Sequence, residues 1–166
     1  MTNPYAGIGS RETPLAIVRE MENIAMRLAL AGWTLRSGAG KRPVKPAPDT
    51  DSADLAFERG CDAVRGAKVI RCATLYQPWL DHAAQYHPAW DKCSEWAQGA
   101  HARNSAILLG DYLNDPARFV VCWTKGGAVT GGTGQGLRIA DAYKIPVFNL
   151  FWPEHLTALW SWINGR

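Results

Sequence analysis

Arg118-Phe119-Val120-Val121-Cys122-Trp123-Thr124-Lys125-Gly126-Gly127-Ala128-Val129-Thr130-Gly131-Gly132-Thr133-Gly134-Gln135-Gly136 is the stretch on which the fold turns. Phe119 to Trp123 is an unbroken apolar run, the pattern of a strand covered on both faces. Six glycines follow between Gly126 and Gly136. The spacing after them predicts a helix from about Thr133 to Tyr143. A buried strand, a glycine-rich turn and a helix form one repeat of a parallel α/β sheet.

The same unit recurs on either side. Towards the N-terminus, Tyr5 to Gly9 reads as a buried strand and Ser10-Arg11 as a turn. Thr13 is placed to cap a helix, with Pro14 at its first position. Ile17, Met21, Ile24, Ala25 and Leu28 give that helix one apolar face, and Gly32 ends it. Trp33 to Arg36 is a second strand, and residues 39–52 form a long loop insertion of glycine, proline and charge. Asp51 or Ser52 caps a helix running through Leu55, Phe57 and Val64. Lys68 to Cys72 is a third strand. Residues 76–95, rich in tryptophan, proline and histidine, read as an irregular excursion with short helical pieces. A helix is expected from about Ala97 to Leu113. Beyond the glycine-rich turn, Pro146 to Leu150 is a fifth strand and Pro153 opens a last helix. The expectation is one α/β domain over residues 1–166: a Rossmann-like open parallel sheet of about five strands with helices on both faces.

Composition narrows the class. The chain has 166 residues, 47% apolar and 20% charged, which is the globular range. No apolar run reaches the roughly 20 residues of a membrane helix. Met1 to Ser10 lacks a secretion signal, so the reading is a cytoplasmic protein with no membrane partner. Cys61, Cys72, Cys93 and Cys122 are widely spaced and read as reduced, mostly buried thiols. His82, His87, His101 and His155 show no ligand spacing, although His82 and His87 lie near Asp81 and Asp91; no metal and no cofactor is expected. The net charge of +3 is too small to decide for nucleic acid, but Arg36, Lys41, Arg42 and Lys45 fall within ten residues. That stretch reads as a solvated loop or as a basic flap over an anion.

Three turns carry the chemistry, because turns that follow parallel strands share the carboxyl edge of the sheet, where ligands bind. Gly7-Ile8-Gly9-Ser10-Arg11 combines close backbone approach with a hydroxyl and a two-pronged donor. Arg36-Ser37-Gly38-Ala39-Gly40 leads to Asp54, which reads either as a helix-dipole partner or as an acceptor for ribose or base. The third turn holds Gly131, Gly132, Thr133 and Gly134. It matches neither the dinucleotide fingerprint nor the Walker loop, yet suits a nest of N–H groups around an anion. Arg103 and Asn104 read as a solvated helix face or as an inward pair bracing the site.

Taken in order, Gly7-Ile8-Gly9-Ser10-Arg11-Glu12-Thr13-Pro14, Gly32-Trp33-Thr34-Leu35-Arg36-Ser37-Gly38, Ala53-Asp54-Leu55-Ala56-Phe57-Glu58, Arg103-Asn104 and Gly131-Gly132-Thr133-Gly134 resemble the SLOG superfamily, which joins DNA-processing protein A with the lonely-guy nucleotide hydrolases. The match is nearest to a stand-alone, phage-associated, DNA-processing-protein-A-like branch. The resemblance implies a Rossmann-like fold, usually a homodimer, with a nucleotide or single-stranded DNA over the sheet edge. It places Gly9, Ser10, Arg11, Ser37, Gly38, Gly132, Thr133 and Gly134 on phosphate, supported by Arg103 and Asn104. Two departures stand out. Residues 41–52 intervene where the family runs almost directly into Ala-Asp. Arg138 stands where the hydrolase branch carries its catalytic glutamate, and a guanidinium cannot replace a carboxylate in proton transfer. The leading expectation is therefore binding without catalysis, of a nucleotide-derived ligand, linear or cyclic. The alternatives are a single-stranded DNA-binding recombination mediator, with some of the eight tryptophans stacking on bases, and an N-glycosidic-bond hydrolase using Glu12 or Glu58. Phe151, Trp152, Trp160 and Trp162 are the expected dimer surface.

Overall fold

The computed structural model describes residues 3–41, 45 and 47–165. Five parallel strands form the sheet: β1 (Asn3–Gly7), β3 (Trp33–Gly38), β5 (Lys68–Arg71), β6 (Val120–Cys122) and β7 (Val147–Asn149). They run in the order β5-β3-β1-β6-β7. Chain order reverses between β1 and β6, so the crevice of an open α/β sheet lies there.

Strand alternation divides the core. Phe119, Val121 and Trp123 point to one face and Val120 and Cys122 to the other. The first face is covered by α1 (Leu15–Leu30), α2 (Ala53–Asp62) and α6 (Pro153–Asn164) through Met21, Ile24, Leu28, Phe57, Leu159 and Ile163. The second is covered by α4 (Glu95–Leu109) and α5 (Gly131–Ala142) through Ile107, Leu109, Leu137 and Ile139. The fold expected from the sequence is the one observed.

Several boundaries differ, each for a local reason. Thr13 does not cap α1. Its hydroxyl donates to the Ser10 carbonyl at 2.9 Å, and Thr13–Pro14 form a two-residue strand, β2, antiparallel to β4 (Thr50–Asp51). Pro14, extended at ψ 141, precedes the helix instead of opening it. The end of the insertion, Asp49 to Asp51, is therefore fastened back onto the β1–α1 connection. α4 stops at Leu109 because Gly110 turns the chain at φ 76. The excursion at 76–95 contains α3 (Gln77–Ala84) and one 3-10 turn at Trp90–Lys92. Cys61 and Cys122 are buried as expected, whereas Cys93 is half-buried and Cys72, just past β5, is exposed. Of the described residues, no helix is long and apolar enough to cross a membrane.

Candidate functional site

The three turns meet at the carboxyl edge. The first passes so close to its neighbours that a Cβ on Gly9 would lie 2.5 Å from the Ala53 Cβ and 3.5 Å from the backbone of Trp123. The approach to Ala53, at the start of α2, is what requires glycine here, while the distance to Trp123 is ordinary contact. The Ser10 carbonyl accepts from Ala53 N at 3.0 Å, and its Oγ accepts from Glu12 N at 3.0 Å. Arg11 and Glu12 are exposed.

α4 braces the other two turns with adjacent residues. Arg103 donates from Nη1 to the Ala39 carbonyl at 3.3 Å and faces the Asp54 carboxylate at 3.5 Å. Asn104 donates from Nδ2 to the Gly132 carbonyl at 3.0 Å. Gly38 leaves the room this needs, since a Cβ there would sit 2.6 Å from the Arg103 Cζ. The inward reading of Arg103-Asn104 is the one the geometry takes.

Asp54 occupies the first turn of α2, whose cap is Ser52, with Leu55 N donating to its Oγ at 3.4 Å. The carboxyl is buried, and that desolvation pushes its pKa up to about 6. The charges of Arg103 and Arg11, and a hydrogen bond from the Gly9 backbone, pull the other way without cancelling it. A buried acid that titrates near neutrality thus lies behind the rim, with one exposed guanidinium (Arg11) and one mostly buried (Arg103).

α5 opens at the same edge. Thr130, its N-cap, makes no side-chain capping bond to a described residue. Gly131 and Gly132 are exposed and Thr133 is half-buried. Gly134 N donates to the Thr130 carbonyl at 2.9 Å, and a Cβ on Gly134 would meet the Val129 carbonyl carbon at 2.7 Å. The preceding N–H groups have no acceptor within the helix, and the helix dipole places partial positive charge on them. Gly126, Gly127 and Gly131 take positive φ of 67, 69 and 64, conformations that side-chain-bearing residues seldom adopt.

Two expected binders lie elsewhere. Ser37 is fully buried and its hydroxyl donates to the Gly7 carbonyl at 2.7 Å, so it joins β3 to β1 and offers nothing to the rim. Arg36, its neighbour on the alternate face, reaches into the turn after α4, donating to the Asp115 carbonyl at 2.7 Å and pairing with its carboxylate. Arg138 donates to the Tyr86 carbonyl at 2.8 Å and to Gln135 Oε1 at 2.9 Å, holding the excursion against α5. Glu58 is ion-paired to Lys68 at 2.7 Å. Of the basic stretch, Lys41 and Lys45 are exposed and Arg42 lies outside the described residues. Around the expected dimer surface, Trp160 and Trp162 pack against the core, and Trp160 Nε1 donates to Glu20 at 2.9 Å. Phe151 and Trp152 stay exposed.

One rim residue had no signal at the sequence level. Trp96, in the first turn of α4, is 64% exposed, and the Arg11 guanidinium sits 5.8 Å from its ring centroid. It falls outside every apolar stripe, so periodicity could not single it out. Compared with known proteins, the chain matches no family model, no curated protein and no solved structure.

Proposed function

We propose that this protein binds a nucleotide-derived anion by its phosphates at the carboxyl edge of the sheet, between β1 and β6. The observation that carries the reading is the glycine-opened start of α5, whose N-cap Thr130 makes no side-chain capping bond to a described residue, at the sheet edge where the turn after β1 with its exposed Arg11 also lies. Unpaired N–H groups with a favourable dipole suit an anion, and a guanidinium supplies two parallel donors. Arg103 and Asn104 hold the turns in register, as bracing residues. The ordered motifs resembling the SLOG superfamily support the same class of ligand, linear or cyclic. With Glu58 engaged by Lys68 and Arg138 turned to the excursion, binding without bond cleavage is preferred over glycosidic hydrolysis, for which Glu12 is the candidate carboxylate left exposed.

The test is thermal denaturation of the purified chain with a panel of mono-, di- and cyclic nucleotides. A ligand at a hundredfold excess over its Kd stabilises by about 2.7 kcal/mol. A clear rise in Tm with at least one nucleotide, reduced in Arg11→Ala, is expected. A flat response across the panel overturns the reading.

A second reading, single-stranded DNA at the same rim, is favoured by Trp96 alone. An exposed indole beside a guanidinium is a stacking platform for any base. Gel shifts over a salt series separate the two, because contact with several phosphates makes affinity fall steeply with salt.

A further inference from the structure

Outside the rim, His87, Cys93 and His101 form the one His/Cys/carboxylate cluster of metal-holding geometry among the described residues. We propose that these three side chains bind a divalent transition metal, zinc by preference, in a site that fastens the part of the 76–95 excursion after α3 to α4. A ligand atom from each lies within 4.8 Å of the others. The Cys93 Sγ is 3.7 Å from His87 Nε2 and 3.8 Å from its Nδ1. Tetrahedral zinc, with Zn–S of about 2.3 Å and Zn–N of about 2.0 Å, separates sulfur from nitrogen by about 3.5 Å, so small movements close the set.

A second observation concerns the same imidazole. His101 is 9% exposed and its Nδ1 is buried without a hydrogen-bond partner. An orphaned buried nitrogen is costly and calls for an occupant. The two imidazoles already face each other, with ring centroids 4.6 Å apart. Ligation requires neutral imidazoles, and the Arg138 guanidinium lies near enough to both rings to oppose a bound cation. Arg138 is the opposing charge, and a Cys93 thiolate, formed by release of its proton to solvent, offsets it. Whichever His87 nitrogen ligates, the 3.1 Å bond from Ala89 N to Nδ1 is surrendered. Two histidines and a cysteine leave a fourth tetrahedral position for water or another donor.

The ligand set differs from the neighbours that sequence proximity offers. His82 is committed to Ser105 at 2.8 Å and Tyr143 at 3.0 Å. The spacing His87, Cys93, His101 spans an irregular turn and a helix, so no familiar motif announces it.

Cobalt titration of the chelator-stripped, reduced full chain tests this directly. One equivalent of Co²⁺ should give a saturable thiolate-to-cobalt charge-transfer band, and Zn²⁺ should displace it. Cys93→Ser should lose the band, and His101→Ala should lose stoichiometric binding. Cys72→Ser, at an exposed cysteine that is not part of the cluster, should keep both. Circular dichroism establishes folding, and Cys93 is only half-buried, so its variant reports binding even if His101→Ala unfolds. A folded wild-type chain with no saturable band overturns the proposal. So does a band that survives Cys93→Ser or disappears in Cys72→Ser.

Discussion

The two ends of one sheet are built from opposite materials. At the amino edge, Trp33, Phe119, Phe148 and Trp162 crowd together, with ring centroids of Phe119 5.1 Å from Trp33 and 5.3 Å from Trp162. They line a largely apolar recess of about 450 Å³. At the carboxyl edge, glycines bring backbone against backbone, and the polar groups are Asp54, Arg103, Arg11 and the first amides of α5. The contrast teaches a division of labour. Large aromatic area stabilises by leaving water, whereas a backbone nest gains little on folding and keeps its N–H groups for a ligand. Stability and binding should therefore be separable by mutation.

The largest effect is expected at the aromatic end. Phe119→Ala removes a 5%-exposed ring that touches Tyr5, Trp33, Phe148 and Trp162. It should cost about 3–5 kcal/mol in urea unfolding, while nucleotide affinity of the folded fraction stays at the wild-type level. Loss of affinity in a folded Phe119→Ala chain breaks the division.

Asp54 gives the next effect and a sign. Its carboxyl titrates at about 6 when folded, against an unfolded value of about 4. Between those limits the unfolded chain binds fewer protons than the folded one, so this group's contribution falls as pH rises from about 4 to 6 and is constant above. Asp54→Asn removes the titration. Relative to wild type it should gain up to about 3 kcal/mol across that window, at about 1.4 kcal/mol per pKa unit. Urea midpoints of both proteins at four pH values supply the difference curve, and a level curve would contradict a burial-raised acid.

Arg11→Ala touches the rim alone. The residue is exposed, so stability should change by less than about 0.5 kcal/mol. Loss of a charge-assisted pair to phosphate should weaken binding by about 1.5–3 kcal/mol, roughly tenfold to a hundredfold. Calorimetric titration with the best nucleotide of the panel measures it. Equal affinity in the variant moves the site away from the first turn.

Trp96→Ala is the smallest perturbation to the fold and sharpens the ligand class. With DNA at the rim, the loss is about 1–3 kcal/mol for a stacked base. With a compact nucleotide held mainly through phosphate, the change should stay below about 1 kcal/mol. Fluorescence anisotropy of a labelled oligonucleotide beside the nucleotide titration distinguishes them.

The architecture was legible because its signals are local. The Phe119–Trp123 run, the glycines from Gly126 and the helical stripes each depend on a few neighbouring residues, and all five strands were placed within a few residues of their ends. That the turns after β1, β3 and β6 share the carboxyl edge was also readable, since parallel strands send their following turns to a common edge. Legibility stopped at side-chain direction. Arg36 and Ser37 sit in a motif that promised phosphate contact, yet pleating turns one to Asp115 and packing seals the other against Gly7.

By itself, then, the sequence determined the five strands of the parallel sheet, the main helices between them and the edge at which glycine gathers, because periodicity and backbone freedom are properties of short segments. Only the tertiary structure decided which side chains face one another. Thr13 became strand instead of cap through Thr50–Asp51, more than thirty residues later. Arg103 met Asp54 across 49 positions. His87, Cys93 and His101 came together because an irregular turn folded back on a helix. Such contacts are set by packing between elements distant in the chain, and no local pattern records them.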